Sequence, residues 1–210
     1  MRLSSVVRVS SFALFVSMLA LAGCERQGDG SVQTTVSPVK SAFKNTDLTG
    51  LDYAKDFALP DHNGKMRSLA DFKGKAVVVF FGYTQCPDVC PTTMTEMASV
   101  MQQLGPLADK VQVVFITVDP EHDTPELLSK YVPAFDPRFI GLSGDKAATE
   151  AVAKEFKVFF QKVPGKEPGN YTMDHASGSY VFDPQGRIRL YVRHGQGAEP
   201  IVHDLKLLLS

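Results

Sequence analysis

No run of basic residues longer than a few positions occurs anywhere in the chain. Its 22 lysines and arginines are balanced by 23 aspartates and glutamates, for a formal net charge of −1. A nucleic-acid partner is therefore not expected, because such binders draw most of their affinity from neutralised phosphates. Long apolar runs are missing too: Phe12 to Ala22 is well short of the roughly 20 residues that cross a bilayer comfortably. Cysteine is scarce, with three in 210 residues, which excludes a small disulfide-stapled scaffold. A composition of 44% hydrophobic and 21% charged residues is that of an ordinary globular chain able to bury one sizeable core. No internal repeat is visible.

What is present begins with a targeting segment, in which Arg2 and Arg8 precede the apolar run. Its end, Leu21-Ala22-Gly23-Cys24, resembles the lipobox of bacterial lipoproteins. That resemblance implies removal of residues 1–23 and acylation of Cys24. Acyl chains, each burying CH₂ groups worth about 0.8 kcal/mol, would then hold the protein on a membrane. The expected location is the bacterial cell envelope, on the inner or outer membrane, with the domain in the periplasm. Residues 24–52 are rich in Gly, Ser, Thr, Gln and Val without periodicity and read as a flexible tether to a domain spanning 53–210.

Within that domain Asn63-Gly64, between Phe57 and Leu69, predicts a hairpin. Continuous apolar runs at Ala76–Phe81 and Val111–Val118, and a shorter one at Phe139–Leu142, predict strands covered on both faces. Between and after them lie helical patterns: Met94, Met97, Ala98, Met101 and Leu104 on one face, a start at Thr124-Pro125-Glu126, and a stripe from Lys146 to Val158. Met94, Met97 and Met101 could suit a soft metal, but their helical spacing marks them as core filling. Lys162–Asn170 reads as a Pro/Gly loop, Ser179–Phe182 and Arg187–Val192 as a closing hairpin around Asp183-Pro184-Gln185-Gly186, and Ile201, Leu205 and Leu208 as a last helix. The βαβαβα order followed by an antiparallel pair and a helix predicts an α/β, thioredoxin-like fold: a central mixed sheet, flanking helices and an N-terminal hairpin extension.

Cys86 and Cys90 fall directly after the first core strand, at the carboxyl end where open α/β sheets gather active groups. A helix start favours thiolates through its unpaired N–H groups and dipole, although Asp88 opposes the effect. With Cys24 acylated, these two can pair only with each other, and one short loop contributes little as a structural staple. Four residues apart on a helix, they would share a face, at a spacing that permits either a reversible disulfide or a shared metal ion. The third ligand is sought elsewhere in the fold. His175, in the loop before the closing hairpin, borders the cysteine turn in thioredoxin-like folds and is the best candidate. Asp119 and Asp123, after the second core strand, are candidates for supporting the ligands or adding a weak oxygen, or else for capping the next helix. His122 and His194 read as exposed loop residues, His203 as solvated, and His62 as a turn residue without a role.

The segments FFGYTQCPDVCPTTM, FITVDPEHDTPELLSKYV and YTMDHASGSYVFDPQGRIRLYV resemble the Sco/SenC family in order and spacing, from about Phe57 to the C-terminus. The resemblance implies one copper ion per chain, Cu(I) or Cu(II), held by Cys86, Cys90 and His175. It also implies assembly of the binuclear copper centre of cytochrome c oxidase, with the oxidase's copper-binding subunit as partner and other periplasmic copper carriers as further ones. Two other functions use the same residues. A thiol:disulfide oxidoreductase would employ Cys86 and Cys90 to reduce the copper-ligand cysteines of the target. A peroxidase reading rests on Thr84 two residues before Cys86, where three is the expected spacing.

Overall fold

The computed structural model describes residues 42–167 and 169–210. Cys24, the signal segment and the start of the tether lie outside the described residues. Strand β1 (Thr46–Asp47) is followed by a small hairpin of β2 (Leu59–Pro60) and β3 (Met66–Arg67). The core then alternates: β4 (Ala76–Gly82), α1 (Val89–Leu104), β5 (Val111–Thr117), α2 (Pro125–Tyr131), β6 (Ile140–Leu142) and α3 (Lys146–Glu155). A second hairpin, β7 (Phe160–Pro164) and β8 (Tyr171–His175), precedes β9 (Ser179–Phe182), β10 (Ile188–Val192) and α4 (Ala198–Leu208).

The main sheet has the order β1-β10-β9-β4-β5-β6. β4, β5 and β6 are parallel, with Val78 opposite Val113 and Val114 opposite Ile140, whereas β9 lies antiparallel to β4 with Val181 opposite Val78. Every residue of β4 and β5 is buried, as expected of strands covered on both faces. Met94, Met97 and Met101 on α1 are at most 1% exposed and fill the core. The thioredoxin-like arrangement read from the sequence is the one observed. Among the described residues, no helix is long and apolar enough to cross a membrane.

Two features escaped the sequence reading. The Pro/Gly loop read at Lys162–Asn170 is the connection of an unforeseen hairpin: Lys162–Pro164 belong to β7, β8 starts at Tyr171, and the two form a sheet separate from the main one. Residues 44–47 are attached to the domain: β1 pairs with β10, and the fully buried Asp204 accepts from the backbone N–H groups of Lys44 (2.9 Å) and Asn45 (2.8 Å). His203 is half-buried, with Nδ1 2.8 Å from Asp204, and so is not a solvated edge residue.

The β2–β3 and β9–β10 turns use one solution twice. Asp61 and Asp183 each accept from the backbone N–H groups two and four residues on, and from an arginine beyond: Arg67 for Asp61, Arg187 and Arg189 for Asp183. Gly64 and Gly186, third after each aspartate, take φ of 80° and 78°, in the left-handed region that glycine occupies without strain. Burial alone would raise the Asp183 pKa, but the bonds from Arg187, the turn N–H groups and Arg189 outweigh it and hold it below the usual range. A depressed folded-state pKa contributes stability that is fully present above the unfolded value of about 3.9 and lost as pH falls through the folded one. Asp183→Asn should therefore cost about 2 kcal/mol in urea unfolding at pH 7, the low end for bonds to charged groups because Arg187 is two-thirds exposed. The gap from wild type should stay constant down to about pH 5 and shrink below about pH 4.

Candidate metal centre

Gly82 ends β4 where the backbone meets the sulfur of Cys90. A Cβ at this position would sit 3.0 Å from Cys90 Sγ and 2.8 and 2.9 Å from the rings of Phe80 and Phe115, so only glycine lets that sulfur settle over the strand end. The chain then turns, with the Cys86 N–H donating to the Tyr83 carbonyl at 3.3 Å. Helix α1 begins at Val89, so Cys86 precedes it and the pair does not share a helical face as expected. Instead the Cys90 N–H, unpaired in the first turn of a helix, donates to Cys86 Sγ at 3.4 Å. Cys86 thereby serves as a side-chain cap of α1. Asp88, at the capping position, makes no such bond from its side chain. The expected acidification of the thiols is reversed at Cys90: the side chain is completely buried, and burial pushes the thiol well above its ordinary range.

His175 ends β8 rather than lying in a loop. Its ring packs edge-on against Phe80 and Tyr83, with centroids 6.2 and 5.9 Å away. A carbonyl can only accept, so the 2.9 Å contact with Ala176 places the ring proton on Nδ1. Nε2 then carries the ring's lone pair and accepts from the Cys90 thiol, its Sγ 3.5 Å away. Burial lowers the histidine's pKa, which favours the neutral, ligating form. The donor atoms of Cys86, Cys90 and His175 all lie within 4.8 Å of one another, the one such trio of metal-binding groups found among the described residues. An ion bonded to sulfur and nitrogen at about 2.0–2.3 Å spans donors up to about 4.6 Å apart. The three donors therefore fit a single soft or borderline ion with little movement.

The neighbouring acids do not join this trio. Asp123 is fully buried and accepts from the N–H and hydroxyl of Thr84 (3.0 and 2.6 Å) and from the Thr117 hydroxyl (2.6 Å). Asp119 accepts from the Tyr171 hydroxyl at 2.9 Å. Tyr171 also meets His122 Nδ1 at 2.5 Å; His122 is exposed, as the sequence suggested. His194 departs from expectation: it is half-buried, with Nδ1 3.0 Å from the Thr93 hydroxyl on α1. His62 spans to the edge of β6, accepting at Nδ1 from the Gly141 N–H at 3.2 Å. Tyr83 and Tyr171 were missed. The alternation in Tyr171-Thr-Met-Asp-His175 was the available signal, since period two marks a strand with Tyr171, Met173 and His175 on one face. Because Cys86 is half-exposed and Cys90 is enclosed with a raised pKa, iodoacetamide at pH 8 should modify Cys86 at least about tenfold faster in the native metal-free protein, a difference that vanishes in denaturant.

The family profile described as SCO1/SenC matches residues 45–210. The mitochondrial SCO2 homolog of Bos taurus is 37% identical over 153 residues, 72% of this chain and 58% of that protein, so the chain spans little more than half of this relative's length. The structure of Bradyrhizobium japonicum ScoI with copper bound is 44% identical, with a TM-score of 0.68 over 73% of this chain and 98% of the other. A SCO1/SenC family lipoprotein from Bacillus anthracis str. Ames is 26% identical, with a TM-score of 0.68 over 80% of this chain and all of the other. On the profile match across most of the described domain, together with these identities, the chain belongs to the SCO1/SenC family.

Proposed function

We propose that this protein is a copper metallochaperone that binds one ion through Cys86, Cys90 and His175 and delivers it to the binuclear copper centre of cytochrome c oxidase. The observation that carries the reading is the convergence of two sulfurs and one neutral imidazole within 4.8 Å. Soft thiolates suit Cu(I) and the imidazole accommodates Cu(II), so one donor set serves both oxidation states. Membership in a family with a copper-bound relative supports copper over zinc, and so does the number of donors, because a lasting structural zinc site normally closes with a fourth protein ligand. Copper is the cargo. Uptake displaces the proton of the enclosed Cys90 thiol, and the half-exposed Cys86 is the sulfur a partner's ligand reaches first.

The oxidase's copper-binding subunit is the proposed acceptor, and other periplasmic copper carriers are proposed donors. Acylation of Cys24, with the domain held in the periplasm at the inner or outer membrane, is proposed from the Leu-Ala-Gly-Cys signal. The lipoprotein from Bacillus anthracis supports that attachment. A second reading has one observation in its favour: Cys86 is accessible and Cys90 is not, the asymmetry of an attacking and a resolving thiol. In that reading the pair would reduce the target's copper-ligand cysteines.

Titration of the reduced protein with Cu(I) and Cu(II) tests the main reading. One equivalent of each should bind, both lost in Cys86→Ser and Cys90→Ser. His175→Ala should weaken Cu(II) by more than about 100-fold, since one of three ligands to the ion is gone. Equal Cu(II) affinity in wild type and His175→Ala would sink the three-donor assignment. Thiols counted on each protein separately, before and after incubation with an oxidised oxidase subunit, divide the two readings: only an oxidoreductase oxidises Cys86 and Cys90 to a disulfide while the subunit gains two thiols.

A further inference from the structure

The hairpin that carries His175 is not part of the main sheet. An isolated two-stranded hairpin is marginal in water, so something else must fix its position against the cysteine turn. Alternation along β8 turns Tyr171, Met173 and His175 to one side: these three are buried or half-buried, while Thr172 and Asp174 are exposed. His175 lies at one end of that inward row. At the other end, about 13 Å away at strand rise, the Tyr171 hydroxyl donates to both carboxylate oxygens of Asp119 at 2.9 Å. With the phenol proton committed to Asp119, His122 donates from Nδ1 to the phenol oxygen. Lys162 lies over the Tyr171 ring, 3.7 Å from its centroid, and reaches Glu121 at 3.0 Å. Residues 119, 121 and 122 thus all engage Tyr171 or the lysine above it.

The same loop also grips the cysteine turn. Asp123 holds the N–H and hydroxyl of Thr84, two residues before Cys86, and accepts from Thr117, whose hydroxyl in turn accepts from the Asp119 N–H at 2.9 Å. The hydrogen bonds run unbroken from Thr84 through Asp123, Thr117 and Asp119 to Tyr171.

We infer that Tyr171, with Asp119 as its acceptor, is a positioning residue that holds His175 in register with the Cys86–Cys90 turn and so governs how long copper is retained. The retention part rests on the metallochaperone reading; the positioning part does not need metal. Tyr171→Phe removes only the hydroxyl and keeps the ring beneath Lys162. In metal-free protein, amide hydrogen exchange at residues 160–164 and 171–175 should accelerate about tenfold, with the β4 and β5 amides unchanged. In copper-loaded protein, release to excess chelator should be about tenfold faster in Tyr171→Phe than in wild type, but no faster in Tyr171→Phe/His175→Ala than in His175→Ala alone. Unchanged hairpin exchange would overturn the positioning role. Faster exchange with unchanged copper release would overturn its consequence for the site. A wild type that takes up no copper would refute the metallochaperone reading, and the exchange result would still decide the role of Tyr171.

Discussion

The centre depends on the contact between Cys90 and the end of β4. A buried sulfur needs a strand end without a side chain, and Gly82 provides one between two phenylalanine rings. Once that sulfur is fixed, the first turn of α1 is fixed with it. The Cys90 N–H then finds Cys86 Sγ, and the second sulfur is positioned by the same helix start that presents the first. The two thiols are unequal for this reason: one belongs to the core and the other to the turn that caps it. Flanking the strand end, Phe80 and Tyr83 supply the walls against which His175 packs, so the third donor is oriented by residues adjacent in sequence to the first two.

The donors differ in what anchors them. Cys90 is held by a fully buried parallel sheet whose ladder runs from Ala76 to Gly82. His175 is held by a hairpin outside that sheet, by two ring contacts and by a hydrogen bond to the adjacent Ala176 carbonyl. Such an arrangement would suit the proposed copper carrier: a fixed dithiol would keep the ion, and an imidazole on a separable element could be exchanged without disturbing the core.

The sequence was most legible where burial leaves a continuous pattern. Val77 to Phe81 and Val113 to Ile116 could only be covered strands, and the apolar face of α1 named its own core residues, methionines included. Legibility failed where polar pairing replaces apolar periodicity. In β7 the residues from Phe160 to Pro164 are exposed or half-buried, and Pro164, Gly165, Pro168 and Gly169 close the strand and follow it, so the end of a hairpin strand held by backbone bonds was read together with its connection as a loop. Thr46–Asp47 is equally mute, because a two-residue edge strand has no period to detect. The three expected donors do come together, within 4.8 Å of one another, yet the helix start was misjudged: Pro91 is the third helical residue and Cys86 lies outside the helix. The raised pKa of Cys90 could not be read either, since burial depends on Gly82 and Phe115, which sequence spacing does not bring together.

Buried carboxylates organise this domain wherever the apolar core stops. Asp61 and Asp183 close the two small turns, Asp204 fixes residues 44 and 45 to α4, and Asp123 braces the loop before Cys86. Each is buried, and each is surrounded by donors rather than left bare, which is the condition for tolerating burial at all. Asp123 differs from Asp61 and Asp183 in lacking an arginine partner and from Asp204 in its fewer backbone donors: it relies on two hydroxyls and one N–H, and burial keeps its pKa raised where arginine or backbone donors depress the rest. An uncharged donor set beside two thiols has a physical consequence. Asp123 thus orders the cysteine turn through hydroxyl and N–H donors, and its bracing contact adds no positive charge that would oppose the cargo the turn is proposed to carry.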